Sequence, residues 1–295
     1  MTLSRGQRHM VLATLLFTAM GVLVKHLRHI PAHEVVFFRA AVTLVLSWTA
    51  LRRAGVSPWG NNRRLLLARG AAGTAALLIY FYTLQHMPLA SAVTVQYLSP
   101  LFTILLSGLF LGEAATPRQW AFFGLCFAGV AAIKGFDPRV ALPDLALGVL
   151  AAALAGVAYN LVRRLKGSDT PMVVVFYFPL VTFPVIGPYT LTHWVMPRGI
   201  EWLWLLAVGL LTQAAQVSLT KAYHLEPAVN ISHLTYLGTL WALLLGYLVF
   251  GETVPLPALV GIGLVVLGVV LASRAGTGNG NGGTQGPTAE TGPAG

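Results

Sequence analysis

Residues 87–113 read MPLASAVTVQYLSPLFTILLSGLFLGE, and residues 226–252 read EPAVNISHLTYLGTLWALLLGYLVFGE. Shifting the chain by 139 positions (226 minus 87) aligns the two stretches without a gap, and the alignment continues to residues 135 and 274. A proline, a tyrosine and the closing Gly-Glu pair fall at matching positions, as do two later glycines. Leucines match by chance in apolar segments, so these other residues carry the evidence for an internal repeat.

The composition of the whole chain is that of a membrane protein. Of its 295 residues, 56% are hydrophobic and only 9% are charged, and the mean hydropathy is +0.73. A typical soluble domain has about a quarter of its residues charged, so most of this surface must face lipid. The one cysteine, Cys126, rules out a disulfide within the chain.

Ten apolar runs are long enough to cross a bilayer, which needs roughly 20 residues in a helix. They do not alternate as β-barrel strands do, so the sequence predicts an all-α polytopic protein. The predicted spans are 10–25, 34–51, 66–86, 89–111, 118–134, 145–163, 172–192, 202–222, 228–250 and 255–273.

The net charge of +10 comes from short basic clusters between these runs. Such clusters set topology in membrane proteins because cytoplasmic loops are enriched in Lys and Arg, and they do not indicate nucleic-acid binding. With a cytoplasmic N-terminus, twelve basic residues fall inside and five outside, so both termini are predicted to be cytoplasmic. The inner residues are Arg5, Arg8, Arg52, Arg53, Arg63, Arg64, Arg69, Arg118, Arg163, Arg164, Lys166 and Arg274; the outer ones are Lys25, Arg28, Lys134, Arg139 and Arg198.

The repeat divides the spans into two sets of five, within residues 1–137 and 138–275. Because five is odd, the second set must enter the membrane from the opposite side, which predicts an inverted-topology repeat. Such repeats are typical of transporters that work by alternating access around a site near the midplane. The alternative is a duplication retained only for packing. Residues 276–295 are poor in apolar and charged residues, which predicts a disordered cytoplasmic tail.

Several short motifs resemble those of a known family. They are Phe37-Phe38-Arg39-Ala40, residues 88–92 (PLASA), residues 97–101 (YLSPL), Leu111-Gly112-Glu113 and Phe250-Gly251-Glu252. Over residues 10–273 the chain resembles the ten-helix EamA type of the drug/metabolite transporter superfamily. The resemblance implies a transporter, commonly an exporter of amino acids or similar metabolites. The second half has Gly238-Thr239 where the first has Ser99-Pro100, which predicts a kink that is not symmetric.

Arg39 is the only charge in the run 35–51. A charge at the bilayer centre costs on the order of 2.5–3.5 kcal/mol on insertion scales, so a favourable interaction must offset it. Two interpretations remain open: an anion partner, either the substrate or a carboxylate such as Glu34, or a structural ion pair or snorkelled side chain.

Two polar pairs occupy matching positions in the repeats. Thr94 and Tyr97 are three residues apart, as are His233 and Tyr236, so each pair lies on one helix face. We expect the pairs to face each other across a central cavity, although hydrogen bonding between helices would also explain them. His233 is the candidate for proton coupling because histidine titrates near neutral pH; a core histidine is the alternative.

Other intramembrane polar residues are expected to line the same cavity, since such groups usually face the bundle interior. The complete set of predicted substrate-binding residues is Arg39, Tyr80, Tyr82, Gln85, Thr94, Tyr97, Tyr159, Asn160, Gln213, Gln216, His233 and Tyr236. Prolines 100, 179, 184 and 188 are expected to kink their helices, most of all the seventh. The spacing of His26, His29 and His33 is better explained by a wet loop than by a metal site.

A secondary transporter of a small organic metabolite is therefore the leading hypothesis. The absence of a GxxxxGK[ST] motif argues against ATP use by this chain. A membrane-embedded lipid-modifying enzyme would need clustered acids or histidines near one face, and only nine acids exist. A lipid flippase on the same fold is a further alternative. We expect a small-molecule substrate, contact with membrane lipids, no nucleic acid, no cofactor or metal, and a monomer or homodimer.

Overall fold

The computed structural model describes residues 4–111, 116–165, 167–225 and 232–277, and within these ranges the secondary structure is entirely helical. Eleven α-helices and one short 3₁₀ helix follow one another. They are α1 (Arg5–His26), α2 (Ala32–Arg53), α3 (Arg63–His86), α4 (Leu89–Gln96), α5 (Ser99–Leu111), α6 (Pro117–Phe136), α7 (Leu142–Leu165), α8 (Pro171–Thr192), α9 (Glu201–Leu225), the 3₁₀ helix (Ser232–Tyr236), α10 (Leu237–Phe250) and α11 (Leu256–Thr277).

Local sequence signals fix several helix ends. Ser4 begins α1 with a capping box, in which its side chain accepts from the backbone N–H of Gln7 and the Gln7 side chain accepts from the backbone N–H of Ser4. Thr116 caps α6 in the same way, and Pro117 follows at the first helical position, where its missing N–H costs nothing. Gly251 ends α10 with φ of 63°, a left-handed conformation that favours glycine.

Eight helical spans in the described residues are long and apolar enough to cross a membrane, and two shorter apolar helices, Leu234–Phe250 and Leu256–Leu271, complete ten segments. These segments correspond to the ten predicted runs and make the chain a multi-pass membrane protein. The run 89–111 is not one helix as predicted, because Tyr97 and Leu98 interrupt it between α4 and α5. Pro100 explains the break, since it has no N–H to donate to the carbonyl of Gln96.

The second half is interrupted at the corresponding place. The 3₁₀ helix ends at Tyr236 and α10 begins at Leu237, which match Tyr97 and Leu98 when 139 is subtracted. A helix therefore changes at this position in both halves, but in different ways: two turn residues separate α4 from α5, whereas the 3₁₀ helix adjoins α10 directly. The seventh span, by contrast, remains one continuous helix, α8, despite Pro179, Pro184 and Pro188 inside it.

The repeat is visible in the helix boundaries and in the packing. Ala32–Arg53 and Pro171–Thr192 differ by 139 at both ends, and the same shift relates α1 to α7, α3 to α9, α5 to α10 and α6 to α11 within about two residues. The contacts are paired in the same way. Helix α1 packs on α9 as α7 packs on α3, α2 on α9 as α8 on α3, and α1 on α10 as α7 on α5.

Helices α6 and α11 pack closely through glycines. A Cβ built on Gly129 would lie 2.6 Å from the carbonyl oxygen of Gly261, and one on Gly261 would lie 2.7 Å from the carbonyl oxygen of Gly129. About two turns further along α11, a Cβ on Gly268 would lie 2.6 Å from the Cys126 sulfur. Later residues of α6 thus meet earlier residues of α11, so these two counterpart helices run antiparallel.

At one end of the bundle, a buried ion pair connects three segments; we call it the staple. Lys25 at the end of α1 lies 2.5 Å from Glu252, and its Nζ also donates to the carbonyl of Met87 at 2.5 Å. The second carboxylate oxygen of Glu252 accepts from the backbone N–H of Leu89 at 2.8 Å. The staple therefore holds α1, the turn between α3 and α4, and the loop after α10 together.

At the opposite end, two loops are held by one carboxylate; we call this the clamp. The backbone N–H groups of Asn61 and Asn62 donate to Asp169 at 2.5 and 3.1 Å, and the Tyr177 hydroxyl donates to the carbonyl of Trp59 at 2.8 Å. Partial burial raises the pKa of Asp169, but hydrogen bonds from Asn61, Ser168 and Asn62 outweigh it and hold that pKa below its ordinary value.

Candidate functional site

The two helix interruptions meet in the middle of the bundle. The rings of Tyr97 and Tyr236 lie edge to face with centroids 5.5 Å apart, so the matching tyrosines face each other as expected. Gly238 makes this possible, because a Cβ at that position would overlap the Tyr97 hydroxyl. The carbonyl of Gly238 also accepts from Thr18 of α1 at 3.4 Å.

Buried polar atoms without hydrogen-bond partners in the described structure lie on the helices around this meeting point. They include the hydroxyl of Thr94 on α4, the side-chain carbonyl of Gln96 beside the break, and the hydroxyl of Thr239 on α10. On α7, the amide nitrogen of Asn160 donates to the carbonyls of Thr103 and Gly156, whereas its Oδ1 accepts from no group among the residues described. Unpaired buried polar groups are costly in a protein interior, so these atoms are candidates for contact with a polar ligand.

Arg39 is buried in α2, with 7% of its surface exposed. Its Nε donates to Thr212 of α9 at 3.2 Å, and its guanidinium carbon lies 5.9 Å from the Phe81 ring centroid. Its Nη1 has no partner in the described part of the chain. The suggested pairing with Glu34 is wrong in this structure, because Glu34 instead accepts the backbone N–H of Val195 at 3.0 Å.

Sequence reasoning missed Arg69 and Phe178. Arg69 was counted as an inner loop charge, yet it lies in the second turn of α3, and its Nε and Nη1 are buried without partners among the described residues. Phe178 occupies the position in α8 that matches Arg39 in α2 (178 minus 39 is 139). The predicted third span already contained Arg69, and the repeat already paired Phe178 with Arg39, so both signals were present in the sequence.

A pocket of about 750 Å³ opens near the staple end, between α2, α3, α7 and α8. Two predicted site residues, Tyr82 and Gln85, line this pocket and not the place where Tyr97 and Tyr236 meet. Gln85 is already engaged, since its Nε2 donates to the carbonyls of Leu27 and Ile30 at 3.3 and 3.0 Å. In this structure Gln85 therefore fastens the loop after α1.

The histidines near this pocket have separate partners. His29 lies 2.9 Å from a carboxylate oxygen of Glu201, and His33 is 3.3 Å from the Thr190 hydroxyl. Among the described residues, no three His, Cys, Asp or Glu side chains are arranged to hold a metal ion.

The remaining predicted residues differ in how far their side chains are buried. Tyr80 and Tyr159 are within electrostatic range of Tyr97, and Tyr159 is half exposed. Gln213 and Gln216 are half-buried in α9. The side chain of His233 lies outside the described part of the structure. Residues 1–3, 112–115, 166, 226–231 and 278–295 lie outside it as well. They include the Gly112-Glu113 motif and all of the predicted tail except Gly276 and Thr277, which belong to α11.

The profile of the EamA-like transporter family matches residues 5–134 and 143–274. The chain therefore belongs to the EamA-like transporter family and carries two copies of its repeat, which confirms the resemblance seen in the sequence. Membership of this family makes the chain a membrane transporter and not an enzyme.

Proteins named for transport are similar over most of the chain. The pseudopaline exporter CntI of Pseudomonas aeruginosa (strain UCBPP-PA14) is 34% identical over 268 residues, covering 90% of this chain and 94% of the exporter. The riboflavin transporter of Rhizobium johnstonii is 29% identical over 261 residues, covering 83% of both chains. Solute carrier family 35 member G1 of Mus musculus is 28% identical over 243 residues, covering 76% of this chain and 66% of the relative.

A crystal structure of another protein has the same fold. Its TM-score is 0.65 at 21% sequence identity, and the match covers 95% of this chain and 100% of the other. At this identity the likeness concerns the fold alone.

Proposed function

We propose that this protein is a secondary transporter that exports a small organic metabolite, such as an amino acid or a similar compound, across the cytoplasmic membrane. The relatives support this proposal, because one is named an exporter and another a riboflavin transporter. The similarity to the exporter extends over 90% of the chain, so it includes both repeats and the helices that carry the candidate site.

The mechanism we propose is alternating access by an inverted-topology repeat. The observation that carries it is the antiparallel packing of α6 and α11, which are counterparts 139 residues apart. Two copies of one unit whose equivalent helices run in opposite directions are related by an axis in the membrane plane. The paired contacts elsewhere, such as α2 on α9 and α8 on α3, support the same axis.

We further propose that the staple end faces outward and the clamp end inward, with both termini in the cytoplasm. The excess of Lys and Arg in the loops of the clamp end supports this orientation. Each rearrangement that opens one end would then break contacts between the two halves there, since the staple and the clamp both join residues of different repeats.

The substrate site would lie where the interrupted helices meet. Tyr97 and Tyr236 supply aromatic faces and hydroxyls that suit a molecule with apolar and polar parts, and α2 contributes the buried guanidinium of Arg39. Thr94 and Asn160 contribute oxygens that have no partner among the described residues, and His233 remains the candidate for proton coupling.

Transport by purified protein in liposomes tests the proposal. Loaded vesicles would be offered labelled amino acids, organic dicarboxylates, sugar bisphosphates, riboflavin and nucleosides. Counterflow would be measured for the wild type, Tyr236→Ala and an exposed control, Tyr247→Ala. We expect one class of solute to exchange, with Tyr236→Ala at least tenfold slower and Tyr247→Ala unchanged. A correctly folded wild type that exchanges none of these classes, or equal rates for both variants, would overturn the proposal.

A further inference from the structure

Two arginines from different helices share one aromatic ring. The guanidinium carbon of Arg39 lies 5.2 Å from the ring centroid of Phe178, and that of Arg69 lies 5.1 Å from the same centroid. These distances limit the separation of the two guanidinium carbons to their sum, just over 10 Å. We call Arg39, Arg69 and Phe178 the two-arginine site.

Neither arginine is neutralised within the described residues. The ion pairs found there join Lys25 to Glu252, His29 to Glu201 and Arg139 to Asp137. Burying a charge without a partner is strongly unfavourable, and two like charges repel as well. The aromatic ring offsets only part of this, since a cation–π contact contributes about 0.5–2 kcal/mol.

The free donors define what would complete the site. The Nη1 of Arg39 and the Nε and Nη1 of Arg69 are buried with no hydrogen-bond partner in the part of the chain that is described. Guanidinium groups present planar pairs of N–H donors that match carboxylate or phosphate oxygens. Two such groups on one ring would be satisfied by a molecule with two anionic groups.

The surroundings favour an organic molecule over a small inorganic ion. Phe178 and Phe81 give the site an apolar wall, and the half-exposed Tyr159 lies within electrostatic range of Arg69. In the second repeat Phe178, and not an arginine, occupies the position equivalent to Arg39, so the repeat does not generate a second copy of the site.

We infer that the two-arginine site binds the transported substrate, and that this substrate is an organic anion with two carboxylate or phosphate groups. The inference rests on the proposed transport function and names its substrate class. Arg69 acts as a binding residue alongside Arg39, and Phe178 holds both guanidinium groups in place.

Thermal unfolding in detergent tests the site directly. The probes are citrate and fructose 1,6-bisphosphate as the two kinds of anion, with glucose and putrescine as neutral and cationic controls. A ligand that binds only the native state raises the melting temperature as its concentration exceeds Kd. We expect at least one anion to do so and both controls to have no effect; which anion acts distinguishes carboxylate from phosphate. A shift from glucose or putrescine alone would overturn the inference.

Variants connect the shift to the two arginines. Arg39→Gln and Arg69→Gln are expected to abolish the anion shift, Arg69→Lys to weaken it at least tenfold in apparent Kd, and the exposed control Arg164→Gln to leave it unchanged. Without ligand, Arg69→Gln is expected to melt no lower than the wild type, because it removes an unpaired buried charge, whereas a purely structural arginine would melt lower when replaced. An anion shift that survives in both Gln variants would overturn the inference.

The liposome assay separates this inference from the proposed function. Exchange of a neutral solute alone, with no anion shift, would leave transport intact and overturn the anion site. An arginine-dependent anion shift without any exchange would support the site and overturn transport.

Discussion

Removing Lys25 should open the staple end of the protein. The Lys25 and Glu252 side chains are only 9% and 13% exposed, and they lie 2.5 Å apart. In Lys25→Met, Glu252 keeps the N–H of Leu89 as a donor but loses its cation. Deleting one partner of a buried pair costs about 3–5 kcal/mol. The cost falls on the conformation in which the staple is formed and this end of the bundle is closed. The equilibrium between the closed and open conformations of this end should therefore shift toward the open one by about a hundredfold or more.

Thiol labelling measures that opening. Ser91 on α4 is fully buried near the staple, and Ser91→Cys adds a thiol of similar size; the native Cys126 is buried. We expect slow labelling by a polar maleimide in the parent and labelling at least tenfold faster with Lys25→Met. The double variant Lys25→Met and Glu252→Gln should lie between them, because it leaves no uncompensated charge.

A matched control is the ion pair of His29 and Glu201 at the same end. The His29 side chain is 51% exposed, and exposed contacts of this kind contribute little to stability, so His29→Gln should not change labelling. Unchanged labelling in Lys25→Met, or an equal increase in His29→Gln, would show that the staple does not hold this end closed.

Three further predictions concern packing and pH. Gly129→Ala should destabilise the protein by about 1–3 kcal/mol through overpacking against α11. The control Gly124→Ala should be neutral or stabilising, because a Cβ there has no neighbour within 4 Å. Denaturation in detergent measures the difference in stability between the two variants. Gly238→Ala should lower the melting temperature by displacing the hydroxyl of Tyr97, and adding Tyr97→Phe should restore most of the loss. Asp169→Asn should lower the melting temperature at pH 7, and the difference should vanish in acid. The depressed pKa of Asp169 stabilises the fold above its unfolded pKa and ceases to do so as pH falls through the folded one; a constant difference down to pH 3 would contradict this.

The sequence was sufficient to predict the ten segments and the repeat, because hydropathy and the Gly-Glu, Pro and Tyr matches report them directly. The interruption at Tyr236 was missed because no proline marks it. Beside it the Tyr97 hydroxyl fits against Gly238, a contact between residues 141 positions apart (238 minus 97) that hydropathy does not report.

Only part of the candidate site could be predicted, because the rest depends on contacts between residues far apart in the sequence. The meeting of Tyr97 and Tyr236 follows from the repeat, and the structure places their rings in contact. The engagement of Gln85 with the loop after α1 and the convergence of Arg39 and Arg69 on Phe178 depend on which helix faces meet. Hydropathy does not specify these faces, because lipid-facing and buried sides are both apolar.

Distances between spin labels at both ends of the bundle test alternating access most directly. One pair of labels would replace the exposed residues Arg28 and Leu256 at the staple end, and another would replace Ala54 and Arg164 at the clamp end. Alternating access predicts that Lys25→Met lengthens only the staple-end distance and that Asp169→Ala lengthens only the clamp-end distance. If either variant lengthened both distances together, the two ends would not open in alternation, and the proposed mechanism would be wrong.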